Sequence, residues 1–221
     1  MNLLDIIAVI IFFGCVSIYG VALLYILQRP AYAKRGLLNL FYVQWVEKVA
    51  HHKDNLLAVQ TMRNLIMSVT FLASSVLIMM GILVSSPEGL SGLITFATEK
   101  TTGMTQYKIL LLFLTLLFTL SMFLLSLRQM NRFSILISIP HESIQQTVKD
   151  RRDVDVSNLR TVTFLKATNR FTFGIRGIFF SAAVMLWFIS PIAFMIATII
   201  ITLLLIAYRD IRAPYPEQPP V

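Results

Sequence analysis

The chain carries little charge. Of its 221 residues, 14% are Asp, Glu, Lys or Arg, where a soluble globular domain carries roughly 25%. A soluble protein of this length cannot hide a composition that is 57% apolar, because folding leaves a large part of a small chain's surface in water. That excludes an ordinary cytosolic domain and a disordered chain alike. Cysteine is nearly absent too. Cys15 stands alone in an apolar run, so neither an intramolecular disulfide nor a cysteine metal cluster can form.

Other absences concern chemistry. No Asp or Glu lies deep in an apolar stretch, since Asp5 stands at the outer edge of the first one. This argues against a proton- or sodium-coupled carrier built on a mid-membrane carboxylate. His51, His52 and His141 all fall in polar connecting segments, which argues against a membrane haem held by two axial histidines. Adjacent histidines on a helix point about 100° apart, so His51 and His52 make a poor metal pair. There is no Walker loop, nucleophile elbow or dinucleotide fingerprint. The expectation is a protein that is not an enzyme, with no cofactor and no metal. A lipid-modifying enzyme at the interface is the weakest alternative.

What the sequence does contain is four apolar blocks, at residues 3–27, 56–85, 106–139 and 172–208. The first is preceded by no Lys or Arg. It therefore lacks the basic start of a signal peptide and reads as a retained transmembrane helix. The fourth is too long for one span. As a single helix it would reach about 55 Å, against a hydrocarbon core near 30 Å. Ser190-Pro191 stands near its middle, and proline disfavours helical geometry in the residue before it. The block reads as a proline-broken hairpin with arms 172–190 and 191–208, spanning or re-entrant, with a single kinked helix as the competing reading. The fold class is an all-α multi-pass membrane bundle of three long transmembrane helices, the hairpin and short cytoplasmic helices. It is expected to form one membrane domain over residues 1–212, followed by a disordered, proline-rich tail at 213–221.

The charge of +8 is a topology signal. With the fourth block as a hairpin, 17 of the 19 basic residues fall on one side, leaving only Lys100 and Lys108 on the other. The positive-inside rule makes the richer side cytoplasmic. The N-terminus is then outside and the C-terminus inside, and nucleic acid is not an expected partner. The cytoplasmic segments are 28–54 and 140–171. Within the first, Leu38, Phe41, Trp45 and Val49 recur at helical spacing, a stripe suited to the membrane interface, and Asp54 is an N-cap candidate for the next helix. Residues 141–155 read as a polar helix and turn, and 157–171 as a helix running into the hairpin.

Two groups of polar residues are candidate functional residues. Gln60, Asn64 and Ser68 stand at i, i+4 and i+8, on one face of the second long helix. Polar groups there act either as interhelical glue or as the lining of a pathway or site. Asn131 belongs with them on the third. Arg63 lies 22 residues before Ser85, and Arg128 lies 21 residues after Tyr107. Each is about 32 Å along its helix, so both reach one level, near the cytoplasmic boundary. Arg63, Arg128, Arg132 and Arg176 are candidates for binding an anion or a lipid headgroup, because the planar guanidinium meets oxyanions bidentately. Their ordinary alternative is snorkelling to lipid phosphates. Gly14, Ser17 and Gly20 are read as helix-packing residues.

Several strings together carry a family resemblance: LAVQTMRNLIM at 57–67 with Trp45 upstream, SLRQMNRFSILI at 126–137, FTFGIRGIFF at 171–180, and the Trp187…Pro191 hairpin. In this order they resemble the bacterial and plant membrane family known as domain of unknown function 599, over most of residues 30–208. The resemblance implies a multi-pass integral membrane protein and supplies no substrate or catalytic residue. The expected location is the bacterial inner (plasma) membrane. The functional expectation is a homo-oligomeric pore, or a transport or binding protein, for a small ion or anion. The alternative is a non-catalytic accessory or scaffold subunit of a larger membrane complex. The expected partners are the lipid bilayer, further copies of the chain and, for the alternative, a membrane-complex partner.

Overall fold

A computed structural model describes residues 3–28, 34–51, 56–85, 104–139 and 156–210, and no β-strand occurs among them. The elements are α1 (Leu3–Gln28), α2 (Lys34–His51), α3 (Leu56–Ser85), α4 (Met104–Ser138), α5 (Val156–Leu186) and α6 (Pro191–Leu204), followed by a π-helical turn (Leu205–Asp210). Stretches within α1, α3 and α4, namely Leu3–Leu23, Leu56–Ser85 and Thr105–Ser138, are each long and apolar enough to cross a membrane. Their outer surfaces carry Ile10, Phe13 and Ile18, then Phe71, Ile78 and Ile82, then Leu114, Phe118 and Leu124, all exposed. Apolar surface on this scale suits lipid rather than water. The segments at 52–55, 86–103, 140–155 and 211–221 lie outside the described residues, and with them the Asp54 cap, the external loop apart from Met104–Lys108, the 141–155 helix and turn, and the tail.

The break in the fourth block is where proline chemistry puts it. The last turn of α5 tightens: the Trp187 N–H donates to the Val184 carbonyl at 3.0 Å, and the Ile189 N–H donates to that of Leu186 at 3.1 Å, each three residues back. Ser190 is extended (φ −158°, ψ 138°) and caps α6, its hydroxyl accepting from the Ile192 N–H, with Pro191 in the first helical turn. Proline is favoured there because its missing N–H would have had no partner. The chain then folds back. The rings of Phe180 and Phe194 lie 6.0 and 5.4 Å from that of Phe12, whereas fourteen residues of continuous helix would separate them by about 21 Å. The segment is therefore a hairpin and not one kinked helix. Its first arm continues the helix expected at 157–171, so α5 runs unbroken from Val156 and ends at Leu186, before the expected residue 190.

The chain packs as two compact units, Met1–Leu40, Leu83–Thr115 and Phe179–Val221 forming one, Phe41–Ile82 and Leu116–Ile178 the other. In the first, α1 packs on α6. Asp5 meets Trp187, and Phe12 meets Phe194. Asp5 at the start of α1 thus meets the turn that precedes α6, Phe12 farther along meets α6 itself, and α1 also contacts the π-helical turn that follows α6, so α1 and α6 run parallel. Tyr19 extends the seam onto Phe180.

In the second unit, α4 and α5 pair antiparallel. A Cβ on Gly177 would strike the Thr119 side chain, and one on Gly174 would strike the Phe123 ring. Farther along, Ser126 donates to the Ala167 carbonyl at 2.8 Å, the Phe133 and Phe164 rings lie 4.8 Å apart, and Arg160 meets Leu136. As numbers rise on α4 they fall on α5. Glycine at 174 and 177 is what allows the close approach, as small residues do between membrane helices. The far end of the pair is closed by an aromatic cluster. Trp45 of α2 lies 5.3 Å from Phe164 and 6.4 Å from Phe133, and Tyr42 meets Phe164 edge-on at 5.6 Å.

Candidate functional site

Gln60, Arg63, Asn64 and Ser68 all lie exposed on α3, away from the residues it buries, among them Ala58, Met62 and Val69. The Ser68 hydroxyl donates to the Asn64 carbonyl one turn back at 2.9 Å. Thr61, Thr70 and Ser75 do the same to Leu57, Ile66 and Phe71. Such back-bonding satisfies a hydroxyl within its own helix, so these groups tolerate lipid. The carboxamides of Gln60 and Asn64 have no hydrogen-bond partner among the described residues, and an amide left unpaired in an apolar medium costs several kcal/mol.

Arg128, Asn131 and Arg132 are likewise exposed, on α4. Among the described residues no hydrogen bond or ion pair joins them to the α3 group. Arg63 and Arg128 directly adjoin the charge-free stretches of their helices, with Asn64 and Ser68 just inside that of α3 and Asn131 and Arg132 just beyond that of α4. Arg176 differs from the other three arginines. It is 3% exposed, and its guanidinium lies 5.7 Å from the Phe173 ring centroid, within range of a cation–π attraction. It is an interior charge, whereas Arg63, Arg128 and Arg132 face outward.

Three arrangements lay beyond the sequence reading. The first is Arg160, 1% exposed. Its Nε donates to the Leu136 carbonyl at 3.1 Å and one Nη to the Ile139 carbonyl at 2.7 Å. These carbonyls belong to the end of α4, where the ladder leaves acceptors unpaired and the helix dipole favours a cation. Burial lowers the guanidinium pKa from its ordinary value. The sequence did hold a signal, because Val156, Arg160, Phe164 and Ala167 share one helical face and the other three are apolar.

The second is a cluster around the hairpin turn. The buried indole N–H of Trp187 donates to the carboxylate of Asp5, itself 3% exposed, at 2.9 Å. The Lys108 ammonium donates to the Trp187 carbonyl at 2.9 Å and lies 5.4 Å from the Trp187 ring centroid. The ring stacks on Phe194 at 5.1 Å. Trp187 is thus tied at the turn to residues from α1 and α4. The third is the split of the α2 stripe. Trp45 turns inward onto Phe133 and Phe164, while Leu38 and Phe41 remain exposed.

No curated protein and no solved structure matches the chain. The family described as "Protein of unknown function, DUF599" matches residues 7–214, which takes in all six helices but the first turn of α1, and on that match the chain belongs to this family.

Proposed function

We propose that the protein is a homo-oligomeric membrane protein that binds a small anion at its basic boundary and passes it along α3. The observation that carries this reading is the exposure of Gln60, Arg63 and Asn64 together, with two carboxamides that have no partner among the described residues. A neighbouring copy, or an aqueous path between copies, removes the cost of leaving those amides in lipid. Their N–H groups and the guanidinium are donors, the chemistry an anion needs. Ser68, whose proton is already given to Asn64, offers an anion little, so capture occurs at the Gln60–Asn64 level. Arg128, Asn131 and Arg132 add donors on α4, and buried Arg176 adds a fixed positive potential within the second unit. Passage follows from electrostatic attraction along a polar helix face.

The orientation that goes with this reading has the N-terminus outside, the C-terminus cytoplasmic and the chain in a bacterial inner membrane. Its support is the excess of basic residues in the cytoplasmic segments, and the meeting of Asp5, Lys108 and Trp187, which come from the three segments assigned to the outer side. The test is the particle mass in lipid nanodiscs together with halide flux in proteoliposomes. A ring-sized oligomer with flux that Arg63→Ala and Arg128→Ala reduce is the expected outcome. A monomer without flux sinks the reading, and stable co-purification of another membrane protein replaces it with an accessory subunit.

A further inference from the structure

The start of α2 presents Leu38, Leu40 and Phe41 on its outer surface, the last 60% exposed, although the next turn is fixed inward through Tyr42 and Trp45. The helix thus turns apolar side chains outward in its first half and packs aromatic ones inward from Tyr42 on. Farther on, its outward residues are Gln44, Glu47 and Lys48. A water-facing helix has no use for the first patch.

The depth of α2 says what covers it. On α4, Lys108 and Arg128 bracket residues 109–127, which carry no charge. That stretch measures about 28 Å as helix, the thickness of a hydrocarbon core. Phe133 comes five residues after Arg128, hence about 7 Å farther, in the headgroup layer. Trp45 packs on Phe133, so α2 is held at the height where aromatic belts and interfacial helices lie. The sequence of α2 carries Lys34, Arg35 and Lys48, and a basic segment is complementary to anionic headgroups.

We infer that α2 is an interfacial anchor that docks on the bilayer itself, inserting Leu38, Leu40 and Phe41 and selecting anionic lipid through Lys34, Arg35 and Lys48. The inference does not depend on the anion-binding reading, since none of these residues belongs to that group. It is tested on the full chain carrying Cys15→Ser, with a fluorophore on Phe41→Cys, on Leu40→Cys in a second variant, and on Glu47→Cys as the solvent-facing control. Each is reconstituted in phosphatidylcholine vesicles with and without phosphatidylglycerol. The expected result is that lipid-borne nitroxide quenches the labels at 41 and 40 and aqueous acrylamide does not, with the reverse at 47. Lipid quenching is greater in the anionic vesicles, and Lys34→Gln with Arg35→Gln and Lys48→Gln removes that excess. Quenching at both apolar positions by acrylamide alone overturns the inference in favour of a water-facing patch. Protection from both quenchers overturns it in favour of a protein partner or a second copy. Lipid quenching that is identical in both vesicle types overturns the anionic selection.

Discussion

Replacing Trp187 with Phe keeps an aromatic ring beside Phe194 and removes the indole N–H, so the buried Asp5 carboxylate loses that donor. The expected loss is about 1–3 kcal/mol of stability, read as a lower melting temperature in detergent with Trp45 fluorescence as the reporter. Asp5→Asn keeps an acceptor for the same N–H and is expected to cost less than Asp5→Ala. Arg160→Met strips donors from two carbonyls at the end of α4. Each charge-assisted bond is worth about 1.5–3 kcal/mol. Arg160→Lys is expected to recover only part of the loss, because an ammonium cannot reproduce the planar fork. Burial lowers the pKa of this group, so the unfolded chain holds the proton more tightly. Through Arg160, stability therefore rises with pH only in the strongly alkaline range where the folded form starts to deprotonate. Across neutral pH the contribution is flat, and chemical denaturation at about pH 6 and pH 8 is expected to give one and the same cost for Arg160→Met.

Between elements, the closest approach is that of α4 and α5 at Gly177 and Thr119. Gly177→Ala places a methyl group on the Thr119 hydroxyl and is expected to destabilise by about 1–3 kcal/mol, the usual range for overpacking. Thr119→Ala in the same chain removes the colliding oxygen and relieves part of that loss, which a double-mutant cycle in detergent melts measures. The elements themselves were legible in the sequence. Run length and charge gave three long helices, Ser190-Pro191 gave the break, and residues 157–171 gave a helix entering the hairpin. The buried faces were not legible. In a soluble helix the apolar stripe marks the core, but lipid is as apolar as a protein interior, so Phe71 facing out and Val69 facing in look alike in the sequence. For the same reason Gln60, Asn64 and Ser68 could be placed on one face, while which way that face turned could not be read. The apolar face shared by Val156, Arg160, Phe164 and Ala167 marks Arg160 as buried, but its partners, the carbonyls at the end of α4, are not written in the sequence.

For the whole molecule, the two functional readings predict different assemblies. An anion pathway requires several copies with α3 near the axis. Arg63→Ala is then expected to lower halide flux while leaving melting temperature and particle mass unchanged, because Arg63 is exposed and makes no hydrogen bond or ion pair among the described residues. A drop in particle mass would move Arg63 from the pathway to the subunit interface.

The parallel seam of α1 and α6 has a consequence in time. Its defining bond joins Asp5 to Trp187, so α1 pairs with a segment synthesised 182 residues after it. The second unit, from Phe41–Ile82 and Leu116–Ile178, has all its residues earlier in synthesis. Until the turn at Trp187 emerges, α1 must wait in the membrane with its carboxylate unpartnered by the indole. Chains arrested before Phe179 are therefore expected to hold the α4–α5 pair while α1 stays open to chaperone or protease until the hairpin that closes the seam has been made.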